Sequence, residues 1–195
     1  MTRESSTRTP EGAEAPATGT YDIDVAHTGV AFVARHMMVS KVRGHFGVFS
    51  GTIVVGERPE DSSVEVSIDA SSIDTASEMR DKHLVSPDFL DVQRFPQIRY
   101  RSTSVERSGD TTLLVKGELT VKDVTRPVDL VVEYEGTIRD MKGGTRAAFS
   151  ATGEIDREEF GILWNMALEG GGVLVGRKVK IEIDVAAVQS VEQAA

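Results

Sequence analysis

The chain has no cysteine, which excludes disulfides, thiolate nucleophiles and thiolate metal sites. It has no apolar run approaching the ~20 residues that a membrane-crossing helix requires, so an integral membrane protein is not expected. Its first twenty residues lack the apolar stretch of a secretory signal. Together these absences point to a cytoplasmic protein. Cations are in deficit, 22 Lys and Arg against 31 Asp and Glu, for a net charge of −9. That balance argues against nucleic acid and anionic membrane surfaces as partners, because both need clustered positive charge. Internal repeats are missing too, as is any linker that would divide the middle of the chain.

What is present reads as strand after strand. Val64, Val66 and Ile68 alternate with Glu65, Ser67 and Asp69. The same period recurs at Leu113, Val115, Leu119 and Val121, at Val128, Leu130, Val132 and Tyr134, at Ala147, Phe149, Ala151 and Ile155, and at Val179, Ile181, Ile183 and Val185. Period-two alternation means one buried face and one wet face, the mark of antiparallel sheet. Glycine-rich turns punctuate the pattern at Gly143-Gly144 and Gly170-Gly171-Gly172. Eight or nine strands are expected. At 195 residues the chain suits one domain: a disordered tail over residues 1–19, a folded unit over 20–188 and a loose tail over 189–195.

Two early strands depart from clean alternation. Over Gly29 to His36 both faces carry apolar groups. Over Val42 to Val55, Phe46, Val48 and Val54 occupy one face and Phe49, Ile53 and Val55 the other, with Gly44, Gly47 and Gly51 between them. Glycines inside a strand predict bulges or bends, as a closing barrel needs at its corners. The fold expected is therefore mainly β, an extended antiparallel barrel of about eight strands; a two-sheet sandwich of the same strands is the alternative.

One helical insertion interrupts the strands between Ser72 and Asp91. Thr75 followed by Glu78 forms a capping-box pattern, and Ser86-Pro87 marks a second helix start. The chemically rich run Arg80-Asp81-Lys82-His83-Leu84 lies between them.

Several motifs resemble the YceI family. They are Tyr21-Asp22-Ile23-Asp24 with Ala26-His27-Thr28, Phe32 and His36; Val42-Arg43-Gly44-His45-Phe46; Ser72-Ile73-Asp74-Thr75; Arg80 to Leu84; and Asp88-Phe89-Leu90. Downstream follow Phe95-Pro96-Gln97-Ile98, Gly117-Glu118-Leu119-Thr120, Val124-Thr125-Arg126-Pro127-Val128 and Arg157-Glu158-Glu159-Phe160-Gly161. The resemblance spans about residues 20 to 188. It implies a lipocalin-like barrel that accommodates a polyisoprenoid or similar long amphiphile, with no established catalytic activity. It also favours a homodimer.

Residues expected to line such a barrel are Val30, Phe32, Ala34, Phe46, Val48, Val66, Ile68, Leu119, Phe149 and Ile181. Met79, Leu84, Phe89 and Leu90 of the insertion are expected at the entrance, with Arg80 and His83 meeting a polar headgroup. The structural reading, in which Arg80 and Asp81 tie the insertion to the barrel rim, is favoured over headgroup contact. Arg43, Arg80 and Arg126 would have to converge for a phosphate head to bind. Trp164, the single tryptophan, is expected to plug the barrel, line the channel or join a dimer interface.

Two rival chemistries are weaker. His27, His36, His45 and His83 lack the short paired spacing of a metal motif, so no metal is expected, nor any cofactor beyond a bound lipid. Asp156, Glu158 and Glu159 near Phe160 and Trp164 supply acid/base groups beside apolar surface. A solvated charged turn explains them more simply, since no triad or phosphate loop accompanies them. The third reading is a sealed barrel that serves as a protein-interaction module.

Overall fold

The computed structural model describes residues 15–139 and 143–190. Eleven strands form one antiparallel sheet: β1 (Gly19–Ile23), β2 (Gly29–His36), β3 (Ser40–Phe46), β4 (Phe49–Val55), β5 (Ser63–Asp69), β6 (Ile73–Asp74), β7 (Gln97–Arg107), β8 (Thr112–Val121), β9 (Val124–Arg139), β10 (Thr145–Asp156) and β11 (Val175–Gln189). A single helix, α1 (Glu78–Leu84), stands between β6 and β7. Their neighbour order is β1-β4-β5-β7-β8-β9-β10-β11-β2-β3-β6, and β1 also pairs with β11.

The extra pairing closes the sheet into a barrel. β1 and β2 both lie against β11, so they act as two halves of one stave, parted by the short turn Val25–His27. β3 and β4 make a second broken stave, and β5 and β6 a third, parted by the turn Ala70–Ser72. With β7 to β11 the count is eight staves, the size at which a barrel holds packed side chains or one small ligand. The main core runs from Phe49 and Ile68 through Tyr100, Val115 and Leu130 to Phe160, and a smaller cluster gathers Tyr21, Tyr134, Ala147, Phe149 and Ala187.

The break between β3 and β4 has a consequence for side-chain direction. Gly47 donates its N–H to Ser72 O at 3.1 Å and Val48 accepts from Asp69 N at 2.9 Å, holding a kink that slips the alternation by one residue. Phe46 and Phe49 both turn inward, and Val48, expected to line the barrel, is 58 % exposed. Earlier in the same stave Gly44 is required by a neighbour: a Cβ there would stand 2.4 Å from Cζ of Phe32.

The insertion also differs from its sequence pattern. Thr75 and Glu78 do not form a capping box. Asp81 reaches back instead, its Oδ1 accepting from Thr75 N at 2.9 Å and from Thr75 Oγ1 at 2.5 Å, while Glu78 pairs outward with Lys82. No second helix follows Ser86-Pro87; the chain turns there, with Phe89 and Asp91 both donating to Ser86 O. At the C-terminal end β11 extends through Gln189, and Ser190 donates to Thr20 O at 2.8 Å, so the pairing reaches two residues into the segment expected to be loose. Most of the two expected tails, residues 1–14 and 191–195, lies outside the described residues.

Candidate ligand-binding site

The barrel encloses a cavity of about 740 Å³. That volume falls within the range of small-molecule sites, and its walls are the inward residues of the staves. Of the residues expected to line it, Val30, Phe32, Ala34, Phe46, Val66, Ile68, Leu119, Phe149 and Ile181 do so, joined by Leu84, Phe89 and Leu90 from the insertion. Alternation also points to Val115, Leu130 and Ile183, and they complete the apolar wall.

Besides Val48, four expected residues do not line it. Met79 is 82 % exposed, because it lies five positions from Leu84 and therefore on another face of α1. Arg80 is turned to the chain: its Nε donates to Thr75 Oγ1 and its Nη2 to Thr75 O, both at 2.7 Å. These are the bonds that a structural tie within the insertion requires. His83 Nε2 sits 2.9 Å from Asp88 Oδ2, and the His83 ring stands edge-on to both Phe89 and Trp164, with centroids 4.9 and 4.6 Å away. Trp164 thus backs the cap formed by Phe89 and Leu90 instead of entering the cavity.

The cap and the polar rim occupy opposite ends. The insertion, Phe160 and Ile162 cover the end where β10 finishes and β11 begins. Polar lining residues gather at the other end, where Glu57, Arg58, Ser62 and Ser63 of the β4–β5 connection face Arg107, Asp110 and Thr111 of the β7–β8 turn. Ala15 to Thr18 complete this rim, held by Tyr21 Oη donating to Ala17 O at 2.8 Å and Gln189 Nε2 to Thr18 O at 3.1 Å. The sequence offered the insertion as the entrance because it is helical and charged; the rim is built from turns whose polarity looks ordinary for loops.

One buried cation touches the capped end, and sequence reasoning overlooked it. Arg157 is 3 % exposed and lines the cavity. Its guanidinium donates to four backbone carbonyls: Gly176 at 2.9 Å, Ile162 at 2.6 Å, Trp164 at 3.0 Å and Val175 at 3.3 Å. Burial lowers its pKa from the ordinary value. The planar fork suits this job, since it can bind several carbonyls of one connection at once.

The acid/base candidates are differently placed. Asp156 Oδ2 accepts from Arg177 at 2.7 Å and its Oδ1 from the Glu158 N–H at 3.0 Å. Burial pushes the Asp156 carboxyl up, but these partners outweigh it and hold the group below the usual carboxylate range. Glu158 pairs with Arg177 at 3.0 Å, and none of Asp156, Glu158 and Glu159 lines the cavity. The histidines stay apart: His27 pairs with Asp24, His45 lies 4.0 Å from Asp74 and His83 meets Asp88. Among the described residues no group of three or more His, Asp or Glu is arranged to hold a metal ion. No helix among them is long and apolar enough to cross a membrane.

Comparison with known proteins agrees with this geometry. The model of the YceI-like domain matches residues 21–187. A UPF0312 protein of Staphylococcus aureus (strain USA300) is 38 % identical over 165 residues, covering 83 % of this chain and 93 % of the relative. Among solved structures, BcnA of Burkholderia cenocepacia superposes with a TM-score of 0.74 at 21 % identity, over 84 % of this chain and 98 % of that one. A polyisoprenoid binding domain from Saccharophagus degradans, implicated in plant cell wall breakdown, gives a TM-score of 0.67 at 11 % identity, over 89 % of this chain and all of its own length. At those identities the two structures speak for the fold alone. The family-model match and the staphylococcal relative carry the assignment: this chain belongs to the YceI-like family.

Proposed function

We propose that the barrel binds a polyisoprenoid or similar long-chain amphiphile non-catalytically, with its tail in the cavity and its head at the polar rim. The observation that carries this reading is the 740 Å³ space walled by aliphatic and aromatic side chains and rimmed by polar ones at a single end. Ten buried methylene equivalents would contribute roughly 8 kcal/mol at about 0.8 kcal/mol each. Association costs of several kcal/mol reduce that to reversible binding, which suits a carrier or store. Two polar groups deep in the wall, the Arg157 fork and the Tyr100 hydroxyl, are already committed to backbone carbonyls, leaving little to polarise a bound polyene.

The headgroup favoured is neutral, such as a quinone, phenol or alcohol. Arg58 at the rim is held by Asp61 through two bonds of 2.9 Å, and Glu57 and Asp110 share the rim with Arg107. A phosphate would meet as many carboxylates as cations there. Arg43, Arg80 and Arg126 do not converge on it: Arg43 pairs with Glu182, Arg80 binds Thr75 and Arg126 binds Thr125 O.

The test is mass spectrometry of organic extracts from gently purified protein, against buffer and an unrelated barrel. A stoichiometric isoprenoid lipid with an uncharged head is expected. An empty extract, followed by no uptake of an offered polyprenol or isoprenoid quinone, would overturn the reading.

A further inference from the structure

Large apolar side chains exposed singly on a barrel wall are ordinary, and Val25, Val54, Val131 and Ile138 are of that kind. Five others gather at the capped end. Met37, Met38 and Val39 form the β2–β3 turn, and Leu163 and Met166 belong to the connection between β10 and β11. Val39 is 80 % exposed.

These two loops make one surface. Met37 donates its N–H to Leu174 O at 2.8 Å, and Leu174 donates to Met166 O at 2.9 Å. Ala167 and Val173 bridge the same small hairpin, and a Cβ on Gly172 would lie 3.4 Å from Cγ of Met38. The cavity lies just behind: Ile162 and Val175 line it, each next in sequence to a residue of this tip.

The turn is built against local preference. Met37 and Met38 have φ of +52° and +65°, in the left-handed region where glycine, asparagine and aspartate are the usual occupants. Two bulky apolar residues held outward in that conformation serve neither the turn nor the core.

The tip carries a pair of cations that the acid excess of the whole chain does not neutralise. Residues 25–56 contain no Asp or Glu. Arg35 and Lys41 face each other across β2 and β3 at the base of the turn, and among the described residues no carboxylate pairs with either. Neighbouring Arg43 and Arg177 are taken by Glu182 and by Asp156 with Glu158. Glu169 is the single carboxylate in the 161–174 connection.

We propose that this tip is a bilayer-docking surface for anionic membranes. Met37, Met38, Val39, Leu163 and Met166 enter the headgroup–acyl boundary, and Arg35 and Lys41 meet anionic headgroups. The unpaired cations select a lipid surface over a second copy, because an isologous contact would bring Arg35 and Lys41 against their own counterparts. Overall acidity then keeps the rest of the barrel off the membrane, which orients the molecule with its capped end down. The proposal goes beyond lipid binding in the cavity and does not need the cavity to be loaded.

The test is co-sedimentation of the full chain with vesicles of phosphatidylcholine alone or mixed with phosphatidylglycerol. Binding is expected to the mixed vesicles and to fall about tenfold or more in a Met38→Glu, Val39→Glu double variant. Arg35→Gln with Lys41→Gln should remove the preference for phosphatidylglycerol. A Met37→Asn, Met38→Gly variant, which suits the turn better, should raise the thermal midpoint while lowering vesicle binding. That opposite movement separates docking from misfolding. Equal sedimentation of wild type and the double variant would overturn the proposal, as would no sedimentation at all. So would a dimer in analytical ultracentrifugation that the same substitutions dissociate, since that places a second copy on the tip. An empty organic extract and no uptake of an offered polyprenol or isoprenoid quinone, together with vesicle binding, would refute the cavity reading and leave this one standing.

Discussion

Tyr100 lies so close to Gly117 that a Cβ on the glycine would stand 2.4 Å from the ring's Cζ and hydroxyl oxygen. β7 and β8 pair at this point, and the space a side chain would fill is taken by the ring. The hydroxyl reaches past it to the carbonyls of Val115 at 3.2 Å and Val128 at 3.1 Å. Burial, assisted by the charge of Asp129, pushes the phenol pKa well up, so the group remains a donor. A polar atom is thereby hidden in an apolar wall with its partners supplied.

Gly117→Ala is therefore expected to destabilise the barrel. Overpacking costs about 1–3 kcal/mol, and the lower entropy of the unfolded alanine chain returns about 0.4–1 kcal/mol. The net loss of about 1–2 kcal/mol should appear as a lower urea midpoint with an unchanged slope. An unshifted midpoint would mean that Tyr100 moves aside freely.

Ala151→Phe should shrink the cavity from the β10 wall. Ala151 is buried and lines the space, and a ring projecting from it competes with a tail for the same volume. Lipid recovered per protein should fall severalfold while the circular dichroism spectrum stays that of a β-barrel. Undiminished recovery would place the ligand elsewhere.

Arg157→Met removes the donors for four carbonyls while keeping an aliphatic side chain. Each buried acceptor left unpaired costs about 1–3 kcal/mol, and relaxation recovers part of this. A loss of about 3 kcal/mol or more is expected in chemical denaturation. Arg157→Lys should restore little of it, because a single ammonium cannot span Ile162, Trp164, Val175 and Gly176.

Asp24 gives the fold an acid-sensitive joint. It stands between β1 and β2, accepts from Arg146 and from Ala26 N, and meets His27 Nδ1 at 2.9 Å. Arg146 chiefly, then His27, lowers its carboxyl to about 2. An unfolded aspartate titrates near 3.9, so the folded state holds its proton less tightly. The stabilisation is full above about pH 5 and is lost as pH falls from about 4 towards 2. Asp24→Asn should lower stability at neutral pH and flatten its decline over that acid window. Parallel pH–stability curves for the two proteins would refute the role.

Much of this fold is legible in the sequence. The alternation at Val64 to Ile68 and again from Leu113 to Val185 reads directly as strands, because side-chain direction has a period of two. Inward residues such as Ile68, Leu119, Phe149 and Ile181 follow from it. Val48 did not follow, since one slipped residue at Gly47 reverses every side chain beyond it. Met79 failed for a related reason: which face of α1 turns inward depends on what Leu84 meets across the barrel. Arg157 was hidden among Asp156, Glu158 and Glu159, a sequence that looks like solvated charge. Its partners are carbonyls, and carbonyls have no signature in a sequence.

By itself the sequence determined a run of antiparallel strands, one helical insertion and membership of the YceI-like family, because each rests on local period or on motif order along the chain. Only the tertiary structure decided that Tyr21 pairs with Gln189 to close the sheet, that the insertion caps one end while turns rim the other, and that Arg35 and Lys41 face each other beside an apolar tip with no carboxylate partner among the described residues. Those relationships join residues remote in the chain. Distance, burial and charge pairing between them exist only once the staves are set side by side.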